Sequence, residues 1–227
     1  MPDRGAFWAN SFTHLYPIAK RRHQVEVNLD ALRRIGIQPS MEERKVLFVL
    51  GTEAQRRVER LVTQPYVHLH PASRWRFKCW PAEKNADLID RLAADGLQVV
   101  VTAAPDAQEL ALIDEIMKRT KAAPLNLAGK LSMKELGALT AHAALFIGVD
   151  SMPMHLAAAM GTPTVALFGP SGEAEWGPWN VAHRVMSTPF PCRPCGQDGC
   201  GGGKISECLT TLPVERVHAA ARELLQR

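Results

Sequence analysis

The chain has 227 residues, a hydrophobic share of 46%, a charged share of 22% and a formal net charge of +4. That is an ordinary globular balance with room for one large α/β domain plus a short leading segment. The charge is too mild to argue for nucleic acid as a partner, and it suits an anionic small molecule or an anionic membrane surface. No run of 18 or more apolar residues appears, so no membrane-spanning helix is expected. The first residues lack the basic-then-apolar order of a secretory signal, so a cytoplasmic location is expected.

Residues 7–22 are aromatic, polar and basic, and residues 24–36 predict one amphipathic helix closed by Gly36. A strand-then-helix alternation follows. Residues 45–50 (KVLFVL) predict a strand, 53–62 a charged helix and 66–70 (YVHLH) a second strand. A helix starts near Pro81, where proline suits the first helical position, and ends before Gly96. Residues 98–102 predict a strand, and 107–119 a helix with Leu110, Ile113, Ile116 and Met117 on one face.

Leu125–Leu127 is a short strand, and Ser132 with Glu135 has the spacing of a capping box. Residues 145–149 form a strand ending at Asp150, followed by a small-residue helix over 153–160. Residues 163–168 form a strand ending at Gly169-Pro170, and a tail helix covers 213–226. Alternating β and α segments with near-continuous apolar strands imply a parallel, doubly wound sheet.

Ligands of such sheets sit at the carboxyl ends of the strands, which selects three loops. The loop after 66–70 offers Ser73, Arg74, Arg76 and Lys78 ahead of a helix N-terminus, a combination suited to a diphosphate. The alternative is a solvated basic loop. In the loop after 98–102, Asp106 or Glu109 can bind ribose hydroxyls, or serve as first-turn charges favoured by the helix dipole. After 145–149, Asp150 and Ser151 lead into a helix whose alanines let it lie close to the sheet and aim its N–H groups at a ligand.

A plain N-cap pair is the alternative there, and a hydrogen-bonded, partly buried ring is the alternative for His155. Gly169, with Pro170, permits close backbone approach to a ligand. Residues 172–180 read as an aromatic loop that walls the pocket, with core packing as the other account of Trp176. No G-x-G-x-x-G follows any strand, which argues against a nicotinamide dehydrogenase.

Three segments, HPASRWRFKCWP (70–81), NLAGKLSMKELGAL (126–139) and LFIGVDSMPMHLAAAMGTPTVALFGPSGEAEWGP (145–178), together resemble glycosyltransferase family 9, the ADP-heptose–lipopolysaccharide heptosyltransferases. The last resembles the family signature D-[ST]-G-P-x-H-L-A-A-A-x-G-T-P-T-V-x-L-F-G-P over its whole length. Residues 23–36 resemble the family's interdomain link, and Phe77-Lys78-Cys79-Trp80 resembles the branch called heptosyltransferase III.

The resemblance implies a GT-B-type fold. Its C-terminal, Rossmann-like donor domain would be residues 41–227, and residues 1–40 would be a remnant of the N-terminal acceptor domain plus the link. It implies inverting, metal-independent transfer of heptose from ADP-heptose to the inner core, with no cofactor. Lys78 and Ser73 would meet the donor phosphates and Asp150 the heptose hydroxyls. The Ser151 and Met152 backbone would lie near the diphosphate and Glu109 near the nucleoside sugar. Arg74, His155, Gly169 and Pro170 complete the donor set.

Met152 departs from the glycine usual at that point, which bears on the shape of the helix entry. The family's catalytic aspartate belongs to the first third of a member, so no base is named here. A non-catalytic nucleotide-sugar-binding domain is the alternative function. The basic and aromatic stretch 4–22 would face the anionic acceptor or the inner membrane.

Cys192, Cys195, Cys200 and Cys208 fall within 17 residues, and four thiols so spaced suggest a structural zinc site, with free thiols as the rival. Cys79 is expected to pack at a helix start.

Overall fold

The computed structural model describes residues 5–13, 15, 16, 19 and 21–226, so much of the basic stretch 4–22 is described and the rest lies outside. The chain falls into two units, residues 1–45 with 174–176, and residues 46–173 with 177–227. Among the described residues no helix is long and apolar enough to cross a membrane.

In the first unit, α1 spans Gly5–Asn10 and α2 spans Gln24–Arg34. Gly36 follows α2 at φ 90°, a conformation that glycine adopts without steric cost. An ion-pair network stiffens α2. Arg33 bonds Glu26 and Asp30 at 2.6 and 2.7 Å, Arg22 bonds the same two carboxylates, and Arg44 reaches Glu26 at 3.1 Å. Burial opposes the charge on Glu26, but the hydrogen bonds from Arg33 and Arg22 outweigh it and hold the carboxyl below its usual value.

The second unit is a six-stranded parallel sheet of β1 (Tyr66–His70), β2 (Gln98–Val101), β3 (Leu125–Asn126), β4 (Leu145–Val149), β5 (Thr164–Leu167) and β6 (His183–Met186). The strand order is β3-β2-β1-β4-β5-β6, so the topology reverses between β1 and β4. Its helices are α3 (Thr52–Leu61), α4 (Ala82–Ala94), α5 (Ala107–Arg119), α6 (Met133–His142), α7 (Met152–Met160), α9 (Glu207–Thr210) and α10 (Val214–Leu225), and the single turn α8 (Glu173–Trp176) is shared between the two units.

Helices α4, α5 and α10 cover one face, where Val67, Leu69, Leu88, Ile89, Ile113 and Val217 form the main core. On the other face α3, α6 and α7 pack over Val100, Leu139, Phe146 and Met154. All five residues of β1 and of β4 are buried, which is why both read as continuous apolar runs. Ser132 and Glu135 form the capping box expected at the start of α6.

Two expectations fail. Residues 45–50 form no strand. They run extended beside α6, with Phe48 and Leu50 turned toward Gly137, while Leu47 and Val49 are 84% and 75% exposed. The alternation is that of a strand, but its backbone finds no sheet edge to pair with, and the Val49 carbonyl accepts from Lys134. Conversely β6 was not foreseen, because HRVM is four residues long and only its last is buried.

Candidate functional site

The strand order puts a crevice between the carboxyl ends of β1 and β4, the position where ligands of doubly wound sheets bind. Two residues of the candidate set meet there. Lys78, on the β1–α4 loop, places Nζ 2.7 Å from Oδ2 of Asp150, which leaves β4. The Asp150 side chain is 6% exposed and that of Lys78 is 23% exposed, so the carboxylate is the more enclosed partner.

Ser151 then starts α7 without a side-chain cap, and Pro153 sits in the first turn. The first turn of α7 thus presents backbone N–H groups at the crevice. Met152 is helical and half-exposed, so replacing the family's glycine causes no backbone strain there. His155 is half-buried one turn further on, with interactions of its own.

Ser73 and Glu109 come together in a second feature. A cleft of about 270 Å³ opens between the first turns of α4 and α5, lined by Ser73, Arg76, Glu83, Gln108, Glu109 and Ile205 among others. Asp106 is the N-cap of α5 and accepts from the Gln108 and Glu109 amides, which leaves Glu109 as the ribose candidate. Glu109 is buried, and one of its oxygens accepts from the Ala104 amide at 2.9 Å. Ser73 Oγ accepts from the Trp75 amide, while Arg74 is exposed and stacks on the Trp75 ring at 5.6 Å. The structure therefore does not bring Arg74 to the Lys78–Asp150 pair.

Gly169 and Pro170 serve the protein itself. A Cβ at Gly169 would lie 2.7 Å from Leu209 of α9, so the approach its small size permits is to that side chain. The Gly169 carbonyl accepts from Arg193 Nε at 2.7 Å, and the Pro170 carbonyl from the Gly196 amide at 3.0 Å. The same segment reaches the β1 side. Ser206 Oγ donates to the Phe77 carbonyl at 2.7 Å, Trp80 Nε1 donates to Leu212, and Lys84 donates to the Thr210 and Leu212 carbonyls. Trp176 is 43% exposed and so is not a core residue.

The cysteines do not form the expected zinc centre. Among the described residues no three His, Cys, Asp or Glu side chains are grouped to hold a metal, and all five cysteines are free thiols. Cys192 and Cys200 are exposed and Cys208 is buried. Cys200 Sγ instead accepts from the Glu207 amide. Burial pushes the Cys79 thiol up to about 11, the mark of a packed rather than reactive thiol.

Sequence reasoning also passed over a buried cluster. His68 and His70 of β1 share the Thr102 hydroxyl at 2.7 and 2.8 Å. Burial lowers His70 to about 4 and His68 below its ordinary value as well, so both rings are neutral near pH 7. Two histidines two residues apart on an apolar strand were the available signal.

Comparisons with known proteins bear on the family and the fold. The model of glycosyltransferase family 9 (heptosyltransferase) matches residues 3–205. The chain is 43% identical over 224 residues to lipopolysaccharide heptosyltransferase 3 of Escherichia coli (strain K12). That match covers 96% of the chain and 64% of the relative, so the chain spans just under two thirds of that protein's length. Among solved structures, a glycosyl transferase family 9 protein from Veillonella parvula superposes with a TM-score of 0.82 at 22% identity, covering 97% of this chain and 65% of that one. The E. coli heptosyltransferase WaaC with ADP gives 0.66 at 20% identity, covering 96% and 62%. The fold is thus that of the sheet domain of these GT-B enzymes, and the chain belongs to glycosyltransferase family 9, the heptosyltransferases.

Proposed function

We propose that this chain carries the donor-binding part of a heptosyltransferase that moves heptose from ADP-heptose to the inner core of lipopolysaccharide. The observation that carries the reading is the Lys78–Asp150 pair at the switch point, which joins two of the segments that resemble the family. In this reading Lys78 and the first-turn amides of α7, from Ser151 and Met152 onward, offset the charge of the diphosphate. Asp150 accepts from heptose hydroxyls. The nucleoside lies toward the cleft at α5, where Glu109 keeps one carboxylate oxygen for the ribose and Ser73 meets the adjoining phosphate.

The reaction is an inverting transfer. An acceptor hydroxyl attacks the anomeric carbon, giving up its proton to water or to a base on the acceptor side, while the bond to the diphosphate breaks and ADP leaves toward Lys78. The positive charge that the leaving group requires then comes from the protein, with no cofactor invoked. Residues 1–40 are read as the end of the acceptor-side domain and the link, and 41–227 as the donor domain. The exposed Phe7, Trp8 and Phe12 suit work at the cytoplasmic face of the inner membrane, where the acceptor lipid resides.

Calorimetric titration with ADP-heptose, ADP and UDP-sugars tests the donor assignment. Selective binding of ADP-heptose, lost in Lys78→Ala and in Asp150→Ala, is the expected result. A folded chain that binds UDP-sugars as well as ADP-heptose, or binds neither, overturns it.

A further inference from the structure

The carboxyl end of β1 holds a group that the reading above leaves unused. Four side chains form a continuous line of hydrogen bonds. His70 Nδ1 is 2.8 Å from Thr102 Oγ, which is 2.7 Å from His68 Nε2. His68 Nδ1 is 3.2 Å from Thr140 Oγ, which is 2.7 Å from the Leu136 carbonyl. His68, Thr102 and Thr140 are sealed from solvent, and His70, the last residue of β1, keeps 4% of its surface open.

Counting protons fixes the direction of the line. A carbonyl only accepts, so Thr140 donates its single hydroxyl proton to Leu136. Thr140 must then accept from His68 Nδ1–H. The buried His68 ring is neutral and carries one proton, so its Nε2 is bare and accepts from Thr102. That uses the only proton of Thr102, which must therefore accept from His70 Nδ1–H. The neutral His70 ring is left with a bare Nε2.

This nitrogen is not walled in. The side-chain atoms sealed without a partner among the described residues are Gln98 Oε1 and Thr188 Oγ1, and His70 Nε2 is not among them. In the sheet register His70 stands opposite Gly148, whose missing side chain leaves that place to the Phe146 ring of the same strand. Asp150 follows the last residue of β4 and bonds Lys78 at this strand end. Two acceptors, a carboxylate and a bare imidazole nitrogen, thus stand at the carboxyl ends of the neighbouring strands β4 and β1. Ionised phosphate has no proton to give either of them, whereas a sugar has several.

We propose that His70 Nε2 is a fixed hydrogen-bond acceptor for a hydroxyl of the transferred sugar, and that Thr102, His68 and Thr140 are positioning residues that lock its tautomer. The proposal rests on the donor-site reading above.

Nitrogen-15 NMR of the histidine-labelled chain tests the lock without any ligand. Both rings are expected in the Nδ1–H form, and a His70 ring found as Nε2–H overturns the proposal. Titration tests the ligand. In His70→Asn the amide nitrogen stands in for Nδ1 and still donates to Thr102, but nothing replaces Nε2. Affinity for ADP-heptose should fall roughly ten-fold with affinity for ADP unchanged, the size of one lost hydrogen bond to a ligand. Equal losses for both ligands, or none, overturn the assignment to the sugar. Thr102→Val, which frees the ring to take the Nε2–H form, should reproduce the selective loss. A wild-type chain with the Nδ1–H form that binds neither ADP nor ADP-heptose would instead sink the donor reading, and the ligand half of this proposal with it.

Discussion

Replacing Lys78 by methionine keeps most of the side chain's length and removes its charge. Asp150 would then be a carboxylate with a 6% exposed side chain and no ammonium 2.7 Å away. Removing one member of a fully buried pair costs about 3–5 kcal/mol, because the remaining charge stays desolvated. Lys78 is 23% exposed, so water already screens part of this pair, and the expected loss is about 2 kcal/mol. For a chain of this size that corresponds to a fall of roughly 6 °C in Tm.

The pair is asymmetric, and this sharpens the test. Asp150→Asn leaves an ammonium on a flexible stem that can swing into water, so it should cost less than about 1 kcal/mol. The double variant should resemble Asp150→Asn alone, because it no longer contains the stranded carboxylate. Urea titration of all four proteins at pH 7 gives the cycle. Lys78→Met as stable as the parent, or costs that simply add in the double variant, would refute the reasoning.

Acid should weaken the fold through carboxyls held below their ordinary values. For Glu26 and Asp90 the hydrogen bonds they accept overcome burial, and for Glu135 the Ser132 amide leads. Lowered folded values mean stability that is present above the unfolded values and lost as the pH falls through the folded ones; the buried, neutral His68 and His70 add a loss of the same sign that begins at their unfolded value of about 6.5, so urea midpoints should decline from about pH 6.5 and more steeply below about 4. Tyr66→Phe removes the donor to the Leu139 carbonyl, a 2.5 Å buried bond at the end of α6, and should cost about 1–2 kcal/mol in the same assay. With a thiol reagent at neutral pH, Cys192 and Cys200 should react at once, the half-buried Cys79 more slowly because its raised value leaves little thiolate, and the buried Cys208 only in denaturant; Cys79 labelling as fast as Cys192 would contradict this.

Much of this fold was readable because its central strands are buried on both faces, which forces the apolar runs 66–70 and 145–149. The helix boundaries at Pro81, Gly96, Ser132 and Gly161 followed from backbone preferences that act within a few residues. What could not be read depends on partners far along the chain. KVLFVL has the pattern of a strand, but pairing needs a free sheet edge, and no local signal says that α6 lies beside it instead. The loops that meet at the site were selected by the strand-end rule, yet the ion pair of Lys78 with Asp150, 72 residues apart, is a tertiary fact. Gly169 illustrates the limit. Its smallness was legible, and the neighbour that needs it, Leu209, was not.

The segment from Arg193 to Leu212 touches both sides of the switch point. It is fastened to the exit of β5 through Gly169 and Pro170, and to the exit of β1 through Phe77, Trp80 and Lys84. Such a tie works like a brace across an open frame. The loops flanking β4 cannot spread without breaking bonds at one end of it, so the mouth of the crevice has a set width. Whatever enters must fit by moving side chains rather than by parting the rim, and amides bonded at the anchors, such as that of Gly196, should exchange more slowly than those of the exposed stretch between them.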